Sequence, residues 1–285
     1  MPQALDPRPA VLLLHGLCAN PLELMPLGRQ LRHAGYHVST PQLPGYGVSP
    51  DGQRAAHVPP FEDWVGLACQ HFDQLAARHD RVVVGGLCMG AVLALALACK
   101  RPVAALVLVS TTLHFDGWNV SPWRRLLPLA YLPGLRNRLS FRETEPYGLK
   151  NERLRAWVAQ AMASKNVSAA GAASLPAASL HQATRLMKHV RRRLPQLTAP
   201  AVVLHATEDD VSGPRTVHQL AAQLGSKPEV HWFHDSYHML TLDNERVAVA
   251  AAASDFLIRV VPLLQAAEQS ATIHQPQGTL HERYA

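Results

Sequence analysis

Residues 82–100 read VVVGGLCMGAVLALALACK, and this stretch decides how the chain folds. A run of valines meets a glycine pair, and Leu-Cys-Met-Gly then leads into a long segment of alanine and leucine. A short apolar run followed at once by a helical segment is typical of a strand–turn–helix unit in a parallel sheet. Cys88 lies between the two elements, with Gly86 and Gly90 two positions to either side. The pattern predicts a sharp turn that presents the cysteine.

The spacing of the glycines has a steric explanation. A nucleophile held on a sharp, strained turn leaves no room for side chains two positions before or after it. The turn also places Cys88 at the N-terminus of the next helix, where backbone N–H groups and the helix dipole favour an anion. A buried cysteine in a glycine-rich turn is the alternative interpretation, and the motif alone does not separate the two.

Short apolar strands and helical segments alternate through the rest of the chain. Strands are predicted at 10–14, 36–40, 81–85, 103–110, 201–206 and 230–233. Helices are predicted at 23–33, 61–79, 89–100, 214–224 and 245–264. Strands without polar alternation, separated by helices, indicate an α/β protein with a mostly parallel sheet of about six strands and helices on both faces.

The alternation stops between residues 111 and 195, where pieces rich in tryptophan, proline, arginine and alanine replace it. This segment has 14 Lys and Arg against 4 Asp and Glu, a net charge of +10, whereas the remainder has 13 against 17 and a charge of −4. We expect a basic helical lid at 111–195, inserted into a core formed by 1–110 and 196–265. The polar stretch 266–285 is predicted to be a disordered tail.

Composition argues against several classes of protein. A chain of 285 residues with 48% hydrophobic and 17% charged residues is of the ordinary globular type. No apolar run approaches the ~18 residues of a membrane span, and the N-terminus lacks the basic start of a secretory signal. The four cysteines form no CxxC pair, which disfavours a disulfide framework or a zinc knuckle and favours a reducing cytoplasm. We expect a cytoplasmic protein without a cofactor.

Three further motifs follow other predicted strands. The first strand leads into LLLHGLCANP, the fifth into HATEDDVSGP with its two adjacent aspartates, and the sixth into DSYHMLTLDNE. The last motif places His238 in a loop before the final helix. Nucleophile, acid and histidine in this chain order belong to one particular fold.

Together, these motifs resemble those of α/β-hydrolases of the carboxylesterase and monoacylglycerol-lipase type. The matching stretches are LLLHG, LPGYG, GGLCMGA, D-x-V-x-x-P and S-x-H-x-x-x-x-D, and they cover nearly all of 10–264 except the insertion. The resemblance implies the α/β-hydrolase fold, with Cys88 as the nucleophile and His238 as the base. It also implies an oxyanion hole built from the backbone N–H groups of Leu17 and Met89.

The same resemblance points to an acid after the fifth strand. In the family, the acid precedes a proline by four or five residues and is followed by one variable and one apolar residue. Counting back from Pro214, with Val211 as the apolar residue, selects Asp209. Asp210 is the second candidate, with a solvated loop carboxylate as its alternative interpretation.

The cysteine is the serious departure from the family pattern, which usually has a serine. Cysteine nucleophiles occur on this fold in proteins resembling dienelactone hydrolases and polyhydroxyalkanoate synthases. A thiolate paired with imidazolium is intrinsically nucleophilic, and its acyl-enzyme is a thioester. Because an amide adduct would expel the thiolate before the amine, small-molecule esters and thioesters are the expected substrates.

Three other hypotheses stay open at this point. An acyltransferase or acyl-offloading enzyme would use the same triad with another acceptor in place of water. A non-catalytic, lid-bearing binding protein would have lost its serine, although the retained His238 and Asp209 argue against it. An engineered Ser-to-Cys variant of a serine esterase is the third.

The surroundings of the site supply candidate contacts and partners. Residues next to the motifs are expected to line the substrate pocket, namely His15, Cys18, His114, Trp118 and Trp123. The +10 insertion favours an acidic partner, such as coenzyme A or an acidic carrier protein.

Two other patterns have ordinary explanations. The basic run KHVRRRL is accompanied by no nucleic-acid-binding fold, so no nucleic acid is expected as a partner. His231, His234 and His238 have metal-binding spacing for a helix, but the segment crosses a strand end, so no metal site is expected.

Overall fold

The computed structural model describes residues 6–48, 57–165, 167–168 and 171–263. Its strands are β1 (Ala10–Leu14), β2 (His37–Ser39), β3 (Val82–Leu87), β4 (Leu106–Val109), β5 (Ser140–Arg142), β6 (Val167–Ser168), β7 (Gly171–Ala172), β8 (Ser174–Pro176), β9 (Ala201–Ala206) and β10 (Glu229–Phe233). Its helices are α1 (Met25–His33), α2 (Phe61–Ala76), α3 (Met89–Ala98), α4 (Leu127–Ala130), α5 (Glu152–Lys165), α6 (Ala177–Arg191), α7 (Arg215–Gln223) and α8 (Arg246–Val260). Short 3₁₀ helices occupy Pro21–Leu24, Pro122–Leu126 and Leu194–Gln196.

The six predicted strands form one sheet, in the order β2-β1-β3-β4-β9-β10. Every neighbouring pair is parallel, so the carboxyl ends of all six strands lie at the same edge. The predicted α/β class is confirmed. β3 runs two residues beyond its predicted end because Gly86 and Leu87 still pair with Leu108 and Val109 of β4.

Helices bury both faces of this sheet. α1 and α8 pack through Leu27, Leu31 and Phe256 against one face, whereas α2, α3 and α6 cover the other. Every residue from Met89 to Leu97 is buried, so α3 is apolar all round and is enclosed by the sheet and its neighbouring helices. This enclosure fixes the position of the turn that carries Cys88.

The segment between β4 and β9 is only partly helical. α4, α5 and α6 lie in it, but β5 pairs with β8 and β6 pairs with β7 in two small antiparallel sheets. The insertion therefore contains short strands in addition to the helices expected from the sequence. Gly171, the first residue of β7, has a φ of 112°, a backbone conformation that a helix does not allow and that glycine adopts readily.

The packing of α6 bears on the expected boundary between the core and the lid. Leu186, Met187 and Val190 are buried in the same apolar cluster as α3. The division into a core and a lid at 111 and 195 stays a prediction, and the expected tail at 266–285 lies outside the described residues.

None of the helices that the structure describes has an apolar stretch long enough to cross a bilayer.

Candidate active site

Cys88 occupies a strained turn between β3 and α3. Its φ of 59° and ψ of −121° lie outside the regions that ordinary L-residues prefer. Its N–H donates to the carbonyl of Val109 at 3.0 Å, which ties the turn to the neighbouring strand. The half-buried thiol sulfur lies 3.4 Å from the hydroxyl oxygen of Thr112.

The flanking glycines are required by the close approach of the backbone. A Cβ at Gly86 would lie 2.5 Å from the carbonyl oxygen of Leu14 and 2.5 Å from the carbonyl carbon of Gly90. A Cβ at Gly90 would overlap the carbonyl oxygens of Leu14 and His15. Side chains at these positions would push the elbow away from the first strand, which agrees with the steric explanation of the motif.

The imidazole of His238 pairs with Asp209. Its Nδ1 lies 2.9 Å from Oδ1 and 2.8 Å from Oδ2 of that carboxylate, and both side chains are buried. Asp209 also accepts the N–H groups of Val211 and Ser212 at 2.9 and 2.8 Å, so its orientation is fixed by its own loop. His205 lies behind it, with Nε2 at 3.7 Å from Oδ2.

Electrostatics favour an ion pair between these two residues. Burial would lower the pKa of His238, but the negative charge of Asp209, followed by that of Cys88, outweighs it and raises this pKa well above its ordinary value. Burial would raise the pKa of Asp209, but the positive charge of His238 keeps it below its usual value. The imidazolium form that a base must reach after accepting a proton is thus stabilised.

Asp210 serves a different purpose, and it is not a solvated loop carboxylate. It is 2% exposed, and its Oδ1 accepts the backbone N–H of His238 at 3.2 Å. Its Oδ2 accepts the N–H of Gly148 at 3.2 Å. The expected alternative of a solvated group is wrong because this carboxylate holds two loops together.

Asp243 holds the other side of the His238 loop. Its carboxylate accepts the N–H groups of Tyr237 at 2.9 Å, Lys150 at 2.7 Å and Asn151 at 2.9 Å. The last aspartate of the S-x-H-x-x-x-x-D motif therefore holds the backbone of two loops in place. Among the described residues, it has no hydrogen bond to the imidazole of His238.

The resemblance assigns an oxyanion hole to the backbone N–H groups of Leu17 and Met89, and this role stays a prediction. Both residues line the same cavity as Cys88, and neither N–H has a hydrogen-bond acceptor among the described residues. Met89 is the first residue of α3 and therefore has a free N–H by position.

A buried carboxyl group supports the loop that carries Leu17. The N–H of Gly16 donates to Oε1 of Glu23 at 2.5 Å, and Glu23 is 1% exposed. Burial raises the pKa of Glu23 to about 8, against the opposing effects of the Gly16 N–H and of His238. Glu23 had been expected only as the start of a helix, and its sequence context gives no signal of this burial.

Cys88 and His238 line one cavity of about 380 Å³ together with Leu17 and Met89. Its lining is mostly apolar and comes from both the core and the insertion, with Phe115, Leu127, Leu175, Leu180 and Met239 among the side chains. Glu143 is a polar exception that sequence reasoning missed. Burial, followed by the charge of Asp210, raises its pKa to about 7, although His238 lowers it.

Of the expected pocket residues, Trp123 lines this cavity and is 76% exposed. His15 does not line it, because its ring is buried and bonds the Gly16 carbonyl and the Leu43 N–H. Cys18 packs in a small buried cluster with Val48 and Ala172.

His114 and Trp118 also lie away from the main cavity. His114 faces a second, open cleft, where it bonds Gln219 and Arg191. Trp118 donates its indole N–H to the carbonyl of Glu208 at 2.9 Å and packs edge-on against Tyr237. His114 and Trp118 thus follow β4 closely in sequence, but their side chains do not line the main cavity.

The three histidines with metal-like spacing do not converge. His231 pairs with Glu229 at 2.6 Å, whereas His238 pairs with Asp209. Among the described residues, the cluster with atoms close enough for a metal is Asp6, His37 and His79. Both carboxylate oxygens of Asp6 are already bonded by Arg8.

The fold and the site agree with a known family. The family model described as serine aminopeptidase, S33, matches residues 5–245. The chain belongs to this family. It is an α/β-hydrolase enzyme of the carboxylesterase and monoacylglycerol-lipase type, with a cysteine at the elbow position.

Its relatives resemble it over most of their length. A carboxylesterase of Bacillus subtilis (strain 168) is 26% identical over 250 residues, which cover 87% of this chain and 92% of that protein. A thermostable monoacylglycerol lipase of Bacillus sp. (strain H-257) is 26% identical over 252 residues, 87% of this chain and 90% of that protein. A structure described with the metagenome-derived lipolytic enzymes LipS and LipT matches with a TM-score of 0.73 at 24% identity, covering 90% of this chain and 96% of its own. That structural likeness supports the fold.

Proposed function

We propose that this α/β-hydrolase cleaves carboxylic esters or thioesters through a covalent acyl-enzyme on Cys88. The observation that carries the proposal is that Cys88, on its strained elbow, lines the same cavity as His238, whose imidazole pairs with Asp209. A thiol, a base and an orienting acid are the three parts that nucleophilic acyl transfer requires.

In the acylation step, His238 Nε2 takes the proton of the Cys88 thiol as the sulfur attacks the acyl carbonyl carbon. The carbonyl π pair moves to oxygen, and the N–H groups of Leu17 and Met89 stabilise the resulting oxyanion. When the carbonyl reforms, the bond to the leaving group breaks, and His238 returns the proton to the departing alkoxide or thiolate. Asp209 holds the imidazole and stabilises its cationic form throughout.

Deacylation repeats these steps with water as the nucleophile. His238 accepts a proton from the water as its oxygen attacks the thioester, and the tetrahedral adduct then expels the Cys88 thiolate. The carboxylic acid leaves, and the proton on His238 returns to the sulfur. Amides are poor substrates in this scheme because their adducts expel the thiolate before the amine.

The cavity supports an apolar acyl chain as the part of the substrate that is recognised. Phe115, Leu127 and Leu175 provide apolar surface, and Glu143 provides one polar group whose raised pKa leaves much of it neutral near pH 7. A neutral carboxyl can donate a hydrogen bond to the oxygen of a leaving group as well as accept one. Both relatives are named for ester substrates.

Acyl transfer to an acceptor other than water is a second candidate, favoured by the charge of the insertion. Among the described residues, ion pairs connect only Lys150 and Arg185 of this segment to acids of the core, so most of its positive charge is unpaired. An anionic acyl carrier, such as coenzyme A or an acidic carrier protein, would complement that charge.

We assign the enzyme to the cytoplasm on the basis of its four cysteines, none of which is in a disulfide.

Turnover of a p-nitrophenyl acyl ester by Cys88 variants tests the proposal. Cys88→Ala should lose all measurable kcat, whereas Cys69→Ala, the matched change at a buried cysteine of α2, should keep it. Full activity in Cys88→Ala, with Cys69→Ala unchanged, would exclude Cys88 as the nucleophile.

A further inference from the structure

A second concave surface lies between the end of α6 and α7. Its side chains are cationic or uncharged, with Lys188 and Arg191 from α6, Arg192 directly after it, Arg215, His218, Gln219 and Gln223 from α7, and His114 from the segment after β4. None of these lining residues, all in the part of the chain that the structure describes, is acidic. The cleft therefore gathers four permanent positive charges on one small surface.

These charges are not compensated within the described part of the chain. Lys188, Arg191, Arg192 and Arg215 form no ion pair there. Burial, followed by the charge of Arg215, lowers the pKa of the half-buried Arg191, so the two guanidinium groups repel each other. Arg215 also occupies the first turn of α7, where the helix dipole disfavours a cation.

One of the guanidinium groups is held in position before any ligand arrives. Nη1 of Arg191 donates to Nδ1 of His114 at 3.0 Å, so the proton of this imidazole lies on Nε2, which donates to Oε1 of Gln219 at 2.8 Å. Burial, followed by the charges of Arg215 and Arg191, lowers the pKa of His114 and keeps the ring neutral. Asp116 opposes this effect, but its carboxylate already accepts the N–H of Gly213 at 2.9 Å. The cost of ordering Arg191 on binding is therefore reduced.

We infer that this cleft binds the phosphoryl group of a small phosphorylated molecule. Guanidinium groups match phosphate oxygens in a two-point geometry, and a lysine adds a point charge. A cleft with eight lining residues fits one or two phosphoryl groups rather than a polymer. The repulsion between Arg191 and Arg215 is relieved by a bound anion, and more strongly by an anion of two charges than by one of a single charge.

The site adjoins the catalytic cavity without sharing its groups. His114 lines the cleft, and the next residue, Phe115, lines the cavity of Cys88. The phosphoryl group can therefore come from a free phosphorylated ligand or from the carrier part of an acyl thioester. The inference does not depend on the proposed ester chemistry, because binding is measured without turnover.

Isothermal titration calorimetry with pyrophosphate, at a fixed ionic strength of 0.1 M, tests the site. The probe should bind the unaltered protein, and the double variant Arg192→Gln/Arg215→Gln should bind it at least about tenfold more weakly. The matched control, Arg125→Gln/Arg138→Gln, removes two exposed arginines outside the cleft and should bind as the unaltered protein does. Thermal midpoints of both double variants check that each is folded.

The outcomes separate the sources of the ligand. Coenzyme A that binds at least about tenfold tighter than pyrophosphate, and loses affinity in the cleft variant, would identify the carrier part of a thioester. Equal affinity of the two probes would identify a free phosphorylated ligand. No binding of pyrophosphate, or equal losses in both double variants, would overturn the inference. A DNA oligonucleotide that binds much tighter than either probe would overturn the assignment to a small molecule.

Discussion

Asp209 and Asp210 are neighbours in sequence, but their carboxylates bind different groups. Asp209 accepts from the imidazole of His238, whereas Asp210 accepts from the backbone of His238 and of Gly148. The first contact controls which nitrogen of the ring carries the proton. The second controls where two loops lie.

This difference predicts that the same substitution affects mainly turnover at Asp209 and mainly stability at Asp210. Asp209→Asn should lower kcat by roughly 10³- to 10⁴-fold, because an amide neither fixes the required tautomer nor stabilises imidazolium. Asp210→Asn keeps one oxygen acceptor and should lower kcat by less than about tenfold while reducing the thermal midpoint. Steady-state kinetics and thermal unfolding of both variants decide the matter. A larger loss of kcat in Asp210→Asn would contradict the assignment of the acid.

Single residues also show how far sequence reasoning reached. Cys88, Asp209 and His238 could be chosen because each follows a strand and each has a chemical signature in its motif. Glu23 and Thr112 could not, since a glutamate in a first helical turn and a threonine after a strand look ordinary. Their closeness to the site results from packing between distant segments.

Among the elements, the loop that carries Leu17 is supported by a buried carboxyl group whose pKa is raised. The chain between β1 and α1 turns back so that Glu23 reaches the N–H of Gly16. The folded state raises the pKa of Glu23 from 4.5 to about 8. An unfolded chain therefore releases this proton at lower pH than the native protein.

The pH dependence of stability follows from that order. The contribution of the neutral carboxyl is fully present below pH 4.5 and is lost as the pH rises to about 8. Glu23→Gln keeps an oxygen acceptor for Gly16 and cannot ionise. The thermal midpoint of this variant minus that of the unaltered protein should therefore increase between pH 5 and pH 8.5.

The exposed Glu152→Gln is the control, and its relative midpoint should change little over the same range. A pH-independent difference between Glu23→Gln and the unaltered protein would show that Glu23 does not change its ionisation on folding.

Elements of the core were predictable because long valine, leucine and alanine runs specify buried strands and helices locally. The strands of the insertion were not predictable in this way. β5 and β8 have three residues each, and Ser140 of one pairs with Pro176 of the other across a long stretch of chain. Such short strands have no period that a sequence pattern reveals.

In the whole molecule, the sheet edge and the insertion line one cavity. The segments that follow β1, β3, β9 and β10 carry Leu17, Cys88, Asp209 and His238 to the same edge, because parallel strands all end there. The insertion adds apolar side chains to the lining of this cavity. Sequence order alone predicted this convergence, whereas the shape of the cavity required the positions of both parts.

Intact-mass spectrometry of the whole chain detects an acyl group on Cys88 directly. The protein is mixed with a panel of short to long acyl esters and acyl thioesters and quenched in acid within the first turnovers. Its intact mass is then measured. We predict a mass increase equal to one acyl group, located on Cys88 by peptide mapping, that is absent in Cys88→Ala and retained in Cys69→Ala. Steady product release with no acyl group on Cys88 at any quench time, and the same rate in Cys88→Ala, would contradict the account.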